Sequence, residues 1–269
     1  MSALKLGADL SHVFCDRQAA VPIKSYSPEI MVHPLLASSD SAPALSAAQL
    51  VEPVVRWLPN ITALVVGPGL GRDPLMVECA RLIIMAAIER KLPMVLDGDC
   101  LSAIVAEDIS LIRDSPFIVL TPNVNEYRRI VAAASKAFPG VTENTQLPDL
   151  CNLLGNVTIV RKGQHDLISD GKSLVECAEE GMNRRCGGQG DVLAGCIATF
   201  LSWSYSPVVD WQESHPYSRG VLAGFCGAVT TRCAARLSFA KYKRGTITTS
   251  IVDHIPESYE DAFLRRAAV

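Results

Sequence analysis

Hydrophobic positions along this chain fall into two alternating kinds of segment. Short runs rich in Val, Ile and Leu occupy 11–15, 29–33, 62–66, 93–96, 117–120 and 157–161, several of them followed by Gly, Pro, Asp or Asn. Such apolar, β-branched runs bounded by turn formers predict buried strands. Between them, 75–90, 125–137 and 146–154 carry apolar residues at helical spacing. This alternation predicts a mainly parallel sheet covered by helices on both faces. Asp170-Gly171 is a turn signal that folds 166–169 against 173–177 as a hairpin. Beyond Asp191 helical spacing dominates, predicting helices over 192–203, 217–237 and 250–266. No repeat, linker or low-complexity stretch divides the chain, so one α/β domain over 1–269 is expected.

Composition narrows the picture. With 49% hydrophobic and 20% charged residues the chain is neither disordered nor a coiled coil. A net charge of −3 offers no bulk attraction for nucleic acid or anionic lipid, so neither is expected as a partner. An anionic ligand must then be held by local groups. The nine cysteines are an odd number without a C-x-x-C pair, which supports neither a disulfide framework nor a zinc cluster. Cys79, Cys196 and Cys226 sit among Ala, Val, Leu and Gly, as small buried hydrophobes of a reducing compartment do. A cytoplasmic setting is therefore expected. No apolar run approaches the ~18 residues that span a bilayer, and residues 1–10 carry Lys5 and Asp9 with no signal-peptide core.

The strongest chemical signal is Arg184-Arg185-Cys186-Gly187-Gly188-Gln189-Gly190-Asp191, which runs directly into the apolar helical stretch from Val192. Gly187, Gly188 and Gly190 let the backbone turn several amides toward one point, and the positive end of the following helix adds to the field. A phosphate suits such a place. Asp191 has two readings there, an N-cap of the helix or a general base beside the anion hole. The two are compatible, although a cap alone does not require the upstream glycines.

Other polar loops follow other strands. Gly67-Pro68-Gly69-Leu70-Gly71 comes after 62–66, but a G-x-G-x-x-G register from Gly67 meets Arg72 at its last position, which disfavours a dinucleotide-dependent dehydrogenase. It is either a ligand loop or an ordinary strand-to-helix turn. Asp97-Gly98-Asp99 could assist Mg²⁺ through water or orient a hydroxyl, or could simply be a turn. Thr121-Pro122-Asn123, with Glu126 and Arg129 on the next helix, and Lys162-Gly163-Gln164-His165-Asp166 complete the set. Lys162 could reach a phosphate as a point charge. Polar loops gathered on one edge of a parallel sheet favour a nucleotide site. There is no G-x-x-x-x-G-K-[ST] loop, no G-x-S-x-G elbow and no metal-ligand spacing among the five histidines, which removes P-loop, hydrolase and zinc-enzyme readings.

Together, Val65-Val66-Gly67-Pro68-Gly69-Leu70-Gly71-Arg72-Asp73, Leu120-Thr121-Pro122-Asn123 with Glu126, Lys162-Gly163 with Asp166, and the octet ending at Asp191 resemble the ATP-dependent NAD(P)H-hydrate dehydratase family of eukaryotic type. The ordered set carries the likeness. It implies a ribokinase-like three-layer α/β/α fold and a metabolite-repair lyase that uses ATP, with Mg²⁺, to remove water from C6 of the S-epimer of hydrated NADH or NADPH. Carried over by position, it implies that Gly69, Asn123, Val124, Asn125, Glu126, Tyr127, Arg128, Arg129 and Asp191 contact the hydrated dinucleotide. Lys162, Gly163, Gln164, His165 and Asp166, with Gly181, Met182, Asn183, Arg184, Arg185, Cys186, Gly187, Gly188, Gln189 and Gly190, would contact ATP. Asp191 would be the catalytic base, and no protein-only metal site is implied.

The chain departs from the family in places. Asp97-Gly98-Asp99-Cys100 stands where Asp-Ala-Asp-Gly is usual, and Asn123-Val124-Asn125-Glu126-Tyr127 where Asn-His-Val-Glu-Phe is usual. The family also opens with a strand and a glycine-rich loop ahead of the helix matching 3–10. On that pattern Met1 is expected to be an internal methionine of a longer chain, whose leader could be mitochondrial. The chain as given is then expected to lack a sheet strand and one wall of the site, with loss of stability and activity. Assembly as a homo-oligomer is open. Two other readings stand beside the lyase: a ribokinase-fold kinase of a small hydroxymethyl compound, and a nucleotide-binding remnant without turnover.

Overall fold

The computed structural model describes residues 1–41, 44–212 and 215–264. The chain opens with α1 (Ser2–Leu6), β1 (His12–Asp16), α2 (Arg17–Tyr26), β2 (Met31–Leu36) and α3 (Ala47–Val55). Next come β3 (Leu64–Val66), α4 (Pro74–Glu89), β4 (Met94–Leu96), β5 (Ile118–Leu120), α5 (Val124–Ala137) and α6 (Leu147–Leu153). The second half holds β6 (Thr158–Arg161), β7 (Asp166–Ser169), β8 (Leu174–Cys177), α7 (Gln189–Ser204), α8 (Arg219–Tyr242), α9 (Thr248–Asp253) and α10 (Ile255–Tyr259). Strands β3 to β8 form one sheet in chain order, with β3 to β6 parallel and β7 and β8 antiparallel.

Alternation along each strand decides which residue meets which layer. Met94, Leu96, Ile118, Leu120 and Ile159 join the core beneath α4, α5 and α6, whereas Val95, Val119 and Val160 face the core formed with α7 and α8. That is the period of two of a pleated strand. All six residues of β4 and β5 are fully buried, as parallel strands covered on both faces should be. Helix α8 comes close to the sheet at Gly224, where an added Cβ would sit 2.7 Å from the Val160 side chain. All nine cysteines are free thiols, and burial pushes Cys196 up to about 12 and Cys79 up to about 11, so neither behaves as a nucleophile. No described helix is long and apolar enough to cross a membrane.

Four expectations are corrected. Segments 11–15 and 29–33 do form strands, but β1 and β2 pair as a separate two-stranded parallel sheet and are only partly buried. Their polar members explain this: His12, His33 and Phe14 stack with Trp57 over one face, and Pro34 cannot donate to a ladder, which confines β2 to an edge. Helix 250–266 is interrupted, because α9 ends at Asp253 and Pro256, lacking an N–H, starts a new helix; positions 265 and 266 lie outside the described residues. The hairpin loop is longer than Asp170-Gly171, since Ser169 pairs with Leu174 and Asp170 Oδ1 accepts from the Lys172 and Ser173 amides. Asp191 is not the N-cap of α7. That position belongs to Gly188, at φ +82°, and the helix begins two residues before Asp191.

Candidate functional site

The parallel strands end on one edge, and the polar loops identified in the sequence follow them there. The backbone hydrogen bonds continue past the strands: Asp97 N donates to Val66 O, Thr121 N to Leu96 O, and Lys162 N to Pro122 O. Asp97, Thr121 and Lys162 are thereby brought side by side from three strand ends. Asp97 Oδ1 accepts from Thr121 Oγ1 at 2.7 Å and from Lys162 Nζ at 2.9 Å, and its side chain is 2% exposed. A buried carboxylate so paired is a fixed strut rather than a solvated turn residue. Glu126 Oε2 approaches Lys162 Nζ to 3.9 Å while accepting from the Asn123 amide, and Asn123 Oδ1 caps the Asn125 and Glu126 amides. Glu126 is thus both a helix cap and a second carboxylate facing the lysine.

Helix α7 points its first turn at this group. A Cβ on Gly190 would lie 3.3 Å from Lys162 Nζ and 3.6 Å from Asp97 Oδ2, so only glycine leaves room for a ligand atom there. The amides of Gly190 and Asp191 precede the first bond back to Gly188 O, from Val192 N, and remain available to an anion. Asp191 lies at the third position of the helix with an exposed side chain. Desolvation, then the neighbouring Asp97 carboxylate, raise its pKa above the ordinary carboxylate value, against a lowering by Lys162. A carboxylate made more basic beside an anion hole is equipped to take a proton.

The ATP-directed residues of the sequence reading converge. Lys162, Gly163, Gln164, His165 and Asp166 line one side of a cleft of about 680 Å³, and Gly181, Met182, Asn183, Arg184, Arg185, Cys186, Gln189 and Gly190 line the other. Gly187 and Gly188 stand just behind, where Thr248 Oγ1 donates to Gly187 O and its methyl lies 3.3 Å from a Cβ placed on Gly188. Asn123, Val124 and Asn125 close the cleft at the α5 end. The remaining dinucleotide-directed residues spread out. Tyr127 is buried under Arg161, Arg128 borders a neighbouring cavity, and Arg129 Nη1 donates to Ser102 Oγ. Gly69 is exposed with nothing within 4 Å of an added Cβ. Its loop meets the Asp97 segment through Gly67, whose added Cβ would fall 1.7 Å from Asp97 O, and through Gly71 N, which donates to Asp99 Oδ2.

Two residues lie outside the set the sequence singled out for ligand contact. Asp97 was weighed only as one member of an acidic turn, and its pairing with Lys162 spans a separation no local pattern reveals. Arg232 of α8 donates from Nε to Asp166 Oδ2 at 2.7 Å, from Nη2 to Gly163 O and from Nη1 to Glu179 O. Asp166 Oδ1 in turn accepts from Gly163 N. The signal for Arg232 was a lone guanidinium in the otherwise uncharged stretch from Gly220 to Ala235 of α8. Among the described residues no three His, Cys, Asp or Glu side chains converge on one point as a metal cage. The donors present, the exposed Asp191 carboxylate and the part-buried Glu126 beside an anion hole, fit a hard cation that arrives with phosphate oxygens and keeps part of its water shell.

Comparison with known proteins places this geometry. The model of a family described as NAD(P)H-hydrate dehydratase matches residues 1–257. An ATP-dependent (S)-NAD(P)H-hydrate dehydratase of Arabidopsis thaliana is 44% identical over 97% of this chain and 73% of its own length. Among solved structures, a ribokinase-like superfamily protein of Enterococcus faecalis superposes with a TM-score of 0.68 at 21% identity, covering 97% of this chain and 80% of that one. The ADP/ATP-dependent NAD(P)H-hydrate dehydratase of Bacillus subtilis, co-crystallized with ATP and Mg²⁺, gives 0.63 at 16% identity, over 97% of this chain and 82% of that one. The fold is ribokinase-like, as the family resemblance implied.

Proposed function

The chain belongs to the NAD(P)H-hydrate dehydratase family, and from that premise we propose that it uses ATP to dehydrate the S-epimer of hydrated NADH or NADPH, with Asp191 as the base. The observation that carries the reading is that Asp191 directly follows Gly190, which lines the cleft against Lys162, and stands near enough to Asp97 and Lys162 for both charges to act on its carboxylate.

The chemistry follows from those positions. The C6 hydroxyl gives its proton to Asp191 while its oxygen bonds to the γ-phosphorus; the bond from that phosphorus to the β,γ-bridging oxygen breaks and ADP leaves. The C6–O bond then breaks with its electron pair going to phosphate, and transfer of a C5 proton to the departing phosphate restores the ring double bond. Hydroxide, a poor leaving group, is replaced by phosphate. Lys162, held by Asp97, and the first amides of α7 face the oxygens of the transferring group, where fixed donors do most for such reactions. Mg²⁺ arriving with ATP would neutralise phosphate charge.

Replacing Asp191 by Asn tests the assignment. Turnover is expected to fall about 10²–10⁴-fold, the range a positioned general base supplies, while calorimetry still detects ATP binding. Following NAD(P)H absorbance together with ADP and phosphate release also separates the lyase from a kinase, which would leave a stable phosphoester. Unchanged turnover in the variant would remove Asp191 from the chemistry.

A further inference from the structure

Behind the 162–165 turn lies a second cavity, of about 570 Å³, which shares Val124 and that turn with the nucleotide cleft. Arg161 and Arg128 both border it. The Arg161 guanidinium lies 5.3 Å from the centroid of the Tyr127 ring. Among the described residues neither arginine has a carboxylate within ion-pair distance. The one carboxylate lining the cavity, Glu176, is already engaged by His165. Tyr127 is buried, and its hydroxyl makes no protein hydrogen bond of ordinary geometry. The cavity therefore offers two guanidiniums without a carboxylate partner, with Val124 and Leu167 as apolar walls.

Planar guanidinium forks match the oxygens of a phosphomonoester, and the apolar walls match the sugar and base that carry it. The two cavities meet at Lys162, so a dinucleotide whose damaged ring reaches Asp191 can extend its other end past the turn. We propose that this cavity receives the adenosine end of the substrate, and that Arg161, with Arg128, reads the 2′-phosphate that separates hydrated NADPH from hydrated NADH. The proposal rests on the function given above, and its test is arranged so that the two can fail separately.

The first measurement is the ratio of kcat/KM for hydrated NADPH to that for hydrated NADH. Arg161→Gln is expected to lower this ratio roughly tenfold, the scale of one charge-assisted hydrogen bond, and Arg161→Lys to recover part of it. An unchanged ratio, with or without a common loss on both substrates, overturns the proposal. The second measurement is calorimetric binding of adenosine 2′,5′-bisphosphate against adenosine 5′-monophosphate. Preference for the bisphosphate in the wild type and its loss in Arg161→Gln support the site even if neither hydrate turns over, in which case the activity reading falls alone. No preference in the wild type, or equal competition by inorganic phosphate, overturns it.

Discussion

The residues that follow β4, β5 and β6 and those of the 178–188 segment line the same site, yet they are held in place by different means. Asp97, Thr121 and Lys162 leave the central sheet with its register intact, locked by the main-chain bonds that run on from buried strands and by the shared Asp97 Oδ1. The 178–188 segment contains no helix or strand. Individual side chains tether it: Arg232 and Arg236 bind Glu179, Arg184 binds Arg244 O, and Thr248 binds Gly187 O. Groups that act on a transferring phosphoryl need placement to fractions of an ångström, which the first wall supplies. A surface that only receives the nucleotide tolerates looser, tethered backbone. Damage to the strand-end wall should therefore fall on kcat, and damage to the tethered wall on the KM for ATP.

Among variants that probe the two walls, the largest expected effect comes from Asp97→Asn. Without its full charge Lys162 loses its strut, and kcat should fall about 10²–10³-fold, the cost of misplacing one transition-state donor. The same variant sets a sign. The base must be ionised, so the acid limb of kcat/KM reports the Asp191 pKa. Partial desolvation and the Asp97 charge hold that pKa up, so removing the charge, which also frees Lys162 to lower it further, should shift the acid limb to lower pH. A fall in kcat with a stationary limb would mean that Asp97 acts through geometry alone.

The same contrast explains what the sequence disclosed. The strand-end loops were legible because each follows a short β-branched run and is marked by Gly, Asp, Asn or Lys, and the octet ending at Asp191 is a dense glycine signal of its own. The pairing of Asp97 with Lys162 was not legible, since it depends on β4 and β6 flanking β5 in the sheet. The start of α7 was displaced because Gln189-Gly190 carries no helix-start signature, whereas an acidic residue before an apolar run does. Helix α2 went unseen for a physical reason: Pro22 lies inside it, and none of its residues is buried. Helix α3 is amphipathic but contains Pro53. The tethers from α8 and the loop before α9 are contacts between distant segments, to which local periodicity is blind.

Arg232→Gln sharpens the comparison where the tethered segment meets the 163–166 turn. It removes the forked grip on Asp166 and Gly163 O together with the bond to Glu179 O. Loss of charge-assisted bonds of this kind should raise the KM for ATP roughly 10- to 30-fold, with kcat falling far less. Arg232→Lys should rescue poorly, since an ammonium cannot span the three acceptors. A loss confined to kcat would place Arg232 functionally with the strand-end wall and erase the distinction.

The smallest effect separates a single tether from a clamp. Thr248 Oγ1 holds Gly187 O and lies 3.3 Å from Cys186 Sγ, at the turn where Gly188 takes its left-handed conformation. Thr248→Val keeps the side-chain shape against Gly188 and removes only the hydroxyl. The cost of one neutral hydrogen bond, about 1 kcal/mol, corresponds to a rise of about fivefold in the KM for ATP with kcat unchanged. Because Gly187 O can turn to water at an exposed position, the penalty cannot grow to that of a buried orphan group. A Thr248→Val effect as large as that of Arg232→Gln would show instead that the octet turn is a single rigid unit, whose release at one point frees the whole segment.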